Sequence, residues 1–223
     1  MPFPINYDLI VQASEVLSRR ERLFWIIGGA GSGKTTVCSI ISVRYSLPVY
    51  DMDAHIYGTY HSRFTPDRHP VNTAWSTSEN GLAWLLSMSW DEFNSFNQAA
   101  LPEYLDLLAK DLNDTPPDSP LLIDGGITNP ALVTKVLPLH QIICLAAKSG
   151  VNVWEGVDRQ AMKEAIFQLP EPEGAWRKFL EFNNQINRTI EEECRENHIK
   201  LCRPRSSASV EDLAKDVARL LGL

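Results

Sequence analysis

An apolar run, Leu23 to Ile27, leads straight into a glycine-rich turn and then into a stretch with helix character ending near Ile40; few architectures can use that succession. The turn, Gly28 to Thr35, reads G-G-A-G-S-G-K-T. It matches the pattern of glycine, four residues, Gly-Lys-Ser/Thr, with the strand before it and the helix after it that a phosphate-binding P-loop needs. Glycines let the chain take conformations closed to residues with a Cβ, so that successive N–H groups converge on phosphate oxygens. The expected cradle comprises Gly28, Gly29, Ala30, Gly31, Ser32, Gly33, Lys34, Thr35 and Thr36. The helix opening near Gly33 adds unpaired N–H groups and a positive dipole end. The Lys34 ammonium is placed to reach the β- and γ-phosphates, and the Thr35 hydroxyl to face Mg²⁺.

Apolar runs near Leu23-Ile27, Pro48-Asp51, Leu121-Asp124, Gln141-Leu145 and Ile199-Arg203 read as strands, each separated by enough chain for a crossover helix. The alternation predicts an α/β fold, a parallel sheet with helices on both faces. Leu101, Leu105, Leu108 and Leu112 form one apolar helix stripe, and Trp176, Phe179, Ile186, Ile190 and Cys194 a second; both are expected to be core. Asn113 to Pro120, NDTPPDSP, is a breaker-rich connection into the third strand, and the last helix starts at the cap-like Ser209. No clean domain boundary divides residues 1–223.

A chain of 223 residues, 44% of them hydrophobic, can bury one substantial core. The net charge of -7 argues against a general nucleic-acid or membrane-surface role, so the expected partner is a small molecule. The four cysteines, Cys38, Cys144, Cys194 and Cys202, lack C-x-x-C spacing, and no signal segment or bilayer-spanning run is present. A reduced cytoplasm is the expected setting. Cys38 and Cys144 are expected to be core filler.

Two acidic sites accompany the loop. Leu47 to Gly58 places Asp51 and Asp53 at the C-terminal edge of a strand, where ligands of doubly wound folds bind. Strand alternation would aim both carboxylates at the phosphate site, one toward hydrated Mg²⁺ and one toward an acceptor hydroxyl. The same residues also suit ordinary turn or helix-capping acids. In LLIDGGITNP, Leu121 to Pro130, Asp124 ends an apolar strand in the Walker-B manner, as a metal-supporting acid. The metal set is therefore Thr35, Asp51 and Asp124.

Together the P-loop GGAGSGKTT, the Asp51-x-Asp53 pair and the Gly125-Gly126 doublet resemble the shikimate kinase branch of the nucleoside-monophosphate-kinase-like P-loop kinases. The resemblance implies a three-layer P-loop NTPase fold with strand order 2-3-1-4-5, an acceptor-binding insertion over residues 54–112, and a lid over ATP at 148–180. It also implies that Asp53 orients the acceptor, that Asp51 lies near Mg²⁺, and that Gly125 and Gly126 line the acceptor pocket. The arginine-rich shikimate-contacting motifs have no counterpart, so shikimate itself is not the expected acceptor. Trp75, Trp84 and Trp90 in the long insertion are expected to pack with Leu82, Leu85, Leu86 and Phe93. Tyr57, Tyr60, His61 and Arg63 face either an acceptor or solvent.

In the lid region Arg159 is the first choice for a cation on the transferring group, ahead of Arg177 and Arg188. The catalytic set is then Lys34, Asp53 and Arg159, with ATP preferred over GTP because no Asn-Lys-x-Asp guanine-reading motif occurs. The expected function is Mg²⁺-dependent transfer of the γ-phosphate of ATP to a small molecule. Alternatives are a nucleotide hydrolase or switch with a protein partner, or a binding module without transfer chemistry.

Overall fold

The structure, a computed structural model, describes residues 3–147, 154, 159–204 and 209–223. Strand β1 (Leu23–Ile27) is buried along its whole length, as an apolar run covered on both faces must be. It pairs in parallel with β3 (Leu121–Asp124) on one side and β4 (Ile142–Leu145) on the other. Strands β2 (Val49–Asp51) and β5 (Lys200–Cys202) complete a parallel sheet in the order β2-β3-β1-β4-β5. With the glycine loop between β1 and the next helix, this is the P-loop NTPase fold. All five expected strands are present, although Pro48, Gln141, Ile199 and Arg203 lie just outside them.

The helices are α1 (Tyr7–Leu17), α2 (Lys34–Tyr45), α3 (Met52–Ala54), α4 (Pro70–Ser76), α5 (Gly81–Ser87), α6 (Trp90–Asn113), α7 (Pro130–Val133), α8 (Gln160–Ile166), α9 (Pro172–Glu196) and α10 (Val210–Leu220). Residue alternation in β1 divides the core. Leu23, Trp25 and Ile27 pack with side chains of α1, α6 and α9, whereas Phe24 and Ile26 meet those of α2 and α10. Helices therefore cover both faces of the sheet in three layers. Helix α10 begins at Ser209, whose hydroxyl and the Asp212 carboxylate form a reciprocal capping box.

The long segment between β2 and β3 is tied down by buried polar groups as well as apolar ones. Leu101, Leu105, Leu108 and Leu112 of α6 are all buried, as their spacing predicts. On the same helix the Glu103 carboxylate accepts from the N–H groups of Val71 and Asn72 at 3.0 and 2.8 Å, capping α4 and docking it onto α6. One turn on, Asp106 accepts from Arg68 and His69 and pairs with Lys110. Trp75 is buried among these helices, Trp84 packs edge-on against Phe96, and Trp90 packs against Phe93 and Phe182, so the three tryptophans pack as expected, whereas Leu82, Leu85, Leu86 and Phe93 border a cavity.

Cys38 and Cys144 are buried free thiols; burial pushes Cys38 above the ordinary thiol range, and a hydrogen bond with Cys194 together with burial does the same for Cys144, which leaves both unreactive as core side chains. Among the described residues no helix is long and apolar enough to cross a membrane.

Candidate functional site

Because every strand runs the same way, the chain leaves the sheet at one edge after Ile27, Asp51 and Asp124. The P-loop, both acidic sites and the glycine doublet therefore converge without any further device. Gly33, with φ +85°, is the residue from which α2 springs. This left-handed conformation at a helix start suits glycine, and it brings the first amides of α2 round toward the loop. Ser32 N–H donates to the Gly29 carbonyl at 3.2 Å, closing the turn.

Asp124 is buried at the end of β3. Burial raises its carboxyl above the usual range, against the opposing pull of a hydrogen bond with Thr35 and the Lys34 charge. One of its oxygens, Oδ1, has no hydrogen-bond partner. Asp51 stands beside Asp124 in the β2-β3 register. These oxygens, with the Thr35 hydroxyl, form a hard donor set that fits Mg²⁺, which keeps several waters and takes few protein ligands. Among the described residues no group of three or more His, Cys, Asp or Glu side chains is placed to hold a metal ion.

The two aspartates do not alternate along a strand as expected. Strand β2 ends at Asp51, whose Oδ1 accepts from the Ala54 N–H at 2.9 Å and caps α3; a π-helical turn, His55–Thr59, follows. Asp53 thus projects from a helix. Its Oδ1 accepts from the Gly126 N–H at 3.1 Å, and its Oδ2 lies 3.7 Å from the Lys34 Nζ. Gly125 makes room for this pair, since a Cβ there would stand 2.6 Å from Asp53 Oδ2 and 2.7 Å from Lys34 Cε. The loop itself is pinned from beneath, where the Trp25 indole N–H donates to the Gly125 carbonyl at 2.9 Å.

Gly126, at φ +74°, meets Met52 just as closely, with a Cβ 2.2 Å from Met52 Cγ. Gly126→Ala is expected to lose about 2 kcal/mol from left-handed strain plus overpacking; urea unfolding at neutral pH reads that loss directly.

A cavity of about 390 Å³ opens beside the loop, touching Gly28, Gly29, Ala30, Lys34, Asp53 and Gly126. It runs between α5, α6 and α9. Here the second predicted stripe divides: Ile190 and Cys194 are buried core, but Phe179, Ile186 and Ile190 also wall the cavity. The stripe is therefore not core alone, because α9 continues past the sheet edge and its apolar face has no sheet to meet there.

Arg159 borders the cavity, its guanidinium 4.8 Å above the Trp154 ring. Arg177 and Arg188 are exposed and do not line it. Residues 148–153 and 155–158 of the expected lid lie outside the described residues. Of the four residues following the aspartates, Tyr57 borders the cavity, Tyr60 is buried in the core, Arg63 pairs with Asp111 at 2.6 Å, and His61 packs against Trp75.

Sequence reasoning missed Asn187 and Asn183. Asn187 lies directly over Gly29, where a Cβ would overlap its side-chain oxygen, and that oxygen is buried without a partner. Asn183 borders the cavity one turn earlier, its amide N–H donating to the Phe179 carbonyl at 2.8 Å. The available signal was their spacing, four residues apart and interrupting an apolar helix face.

No family model and no curated protein matches this sequence. Among solved structures, shikimate kinase from Acinetobacter baumannii in complex with shikimate is similar at 14% identity and a TM-score of 0.46, covering 90% of this chain and 92% of that one. A protein from Thermus thermophilus is similar at 19% identity and a TM-score of 0.47, covering 90% and 96%. The fold assignment rests on the strand order and the loop described above.

Proposed function

We propose that this chain is a P-loop phosphotransferase that moves the γ-phosphoryl group of ATP to a hydroxyl of a small molecule. The observation that carries this reading is the Lys34-Asp53 pair at the mouth of a cavity that opens directly off the phosphate loop. A cation for the transferring group and a carboxylate for the attacking hydroxyl stand side by side, with room beyond them for an acceptor. A water-using hydrolase has no need of such a chamber.

In this reading the amides from Gly28 to Thr36 hold the polyphosphate, and Lys34 neutralises charge that develops on the transferring group. Thr35, Asp51 and Asp124 would hold Mg²⁺, which would supply charge neutralisation to the phosphates. Asp53, fixed by the Gly126 N–H, aligns the acceptor hydroxyl and accepts its proton. Arg159, which borders the cavity within the segment 148–180, brings a guanidinium to the transferring group. The segment 54–112 supplies the acceptor side.

Asp53→Asn keeps the size and the hydrogen bond from Gly126 but removes the proton acceptor. Calorimetry with Mg-ATP is expected to show nucleotide affinity within threefold of wild type, while acceptor-dependent ADP release falls by about 10²-fold or more. Unchanged transfer would remove Asp53 from this role.

A further inference from the structure

Resting on that reading, we infer that the acceptor is an uncharged, largely apolar alcohol, recognised by hydrocarbon contact and a few neutral hydrogen-bonding groups. The geometry behind this is the chemistry of the cavity walls. Away from the loop they are formed by Leu82, Leu85, Leu86, Phe93, Phe182 and Ile186, with Leu101 and Tyr104 at the back. The polar side chains on those walls include Asn97, Thr128, Asn183 and the phenols of Tyr57 and Tyr104, all of them neutral groups.

Among the described lining residues the cations are Lys34 and Arg159. Lys34 belongs to the phosphate loop and already faces Asp53 at 3.7 Å. Arg159 sits on the Trp154 ring near Met162, at the α8 end of the cavity. Lys178, whose Nζ lies 5.4 Å from the Phe182 ring centroid, does not line the cavity; among the described lining residues a carboxylate or phosphate between Leu86 and Phe182 would meet no cation there, a heavy penalty for a desolvated charge. A neutral alcohol meets no such penalty and gains from every apolar atom it covers. Asn183 donates one of its two amide N–H groups to the Phe179 carbonyl, leaving its oxygen to accept from a hydroxyl and the second N–H to donate to the hydroxyl oxygen.

The reaction balances for any such alcohol. The acceptor oxygen forms a bond to the γ-phosphorus, the bond from that phosphorus to the β,γ-bridging oxygen breaks, ADP leaves with its electron pair, and the hydroxyl proton passes to Asp53 and then to water.

Matched probes test the inference. Binding of 2-naphthalenemethanol and of 2-naphthoate, which share a ring system and differ in charge, is measured by ligand-observed NMR and calorimetry on the full chain, with and without Mg-ATP. The neutral alcohol is expected to bind at least tenfold more tightly than the carboxylate. Leu85→Arg, a substitution at a half-buried wall position, is expected to shrink or reverse that preference. Equal affinity, tighter binding of the naphthoate, or binding of neither probe would overturn the inference. Failure of the parent reading shows separately, as the absence of Mg-ATP binding or of ADP release with any alcohol.

Discussion

Lys34→Ala is expected to lower acceptor-dependent turnover by about 10²–10³-fold, the usual cost of removing one preorganised charge from a transferring group. The ammonium approaches the loop from the first turn of α2, beside Gly125, and its contribution grows as negative charge moves toward the leaving oxygen. In the proposed reaction backbone amides would hold most of the ground-state nucleotide, so affinity is expected to fall less than turnover. Asp53 loses its cationic neighbour in this variant but keeps the hydrogen bond from Gly126, so the loop geometry survives. Steady-state ADP release, paired with a thermal melt to show that the variant is folded, gives the measurement. Turnover within threefold of wild type would exclude Lys34 from the transfer step.

The largest effect on stability is expected at Asp106, far from the chemistry. Its carboxylate is buried on α6 and accepts from Arg68 Nε at 2.8 Å and Arg68 Nη2 at 2.6 Å, while Lys110 Nζ and His69 Nε2 each lie 2.8 Å away. The His69 Nδ1 accepts from the Thr65 N–H, so the ring carries its proton on Nε2 and donates to Asp106. Arg68 and Lys110 are partly exposed and screened by water, so the buried His69 contact contributes most. Asp106→Ala strands that imidazole and is expected to cost about 3 kcal/mol; Asp106→Asn, which keeps one acceptor, is expected to cost less.

The pH dependence has a definite sign. Burial alone would raise the Asp106 carboxyl, but the hydrogen bonds from Arg68, His69 and Lys110 outweigh it and hold the group well below the usual carboxylate range. A depressed folded value means that the stabilisation is complete above the unfolded value of about 3.9 and is lost as pH falls below it. Urea unfolding should therefore show the gap between wild type and Asp106→Asn closing below about pH 4. A gap independent of pH would show that the charge of Asp106 contributes nothing.

The parts of this molecule that depend on short-range pattern were legible in its sequence. Strands β1, β3 and β4 are apolar runs, and the glycine loop carries its own geometric requirement, so β1, the P-loop and Asp124 followed directly. Asp53 was legible as a residue but not in its direction. Asp51 is a helix cap as well as a strand end, and the capping bond to Ala54 turns the chain before alternation can operate. The segment between β2 and β3 was opaque for a different reason. Glu103 reaches Asn72 and Asp106 reaches Arg68 across 31 and 38 residues, and no local pattern announces such pairings. Asn183 and Asn187 gave no functional reading, because a polar residue on a helix usually faces water. Only the presence of the phosphate loop over Asn187 gives them another meaning.

That placement has a thermodynamic consequence. Helix α9 is one rod that rests on Gly29 through Asn187 and walls the chamber through Phe179, Phe182 and Ile186. A guest that displaces the rod while filling the chamber must also alter how firmly the amide cradle closes on its anion. Linkage would make that influence mutual, so that in the proposed reaction the two substrates would report on each other through a single lever rather than dock as strangers.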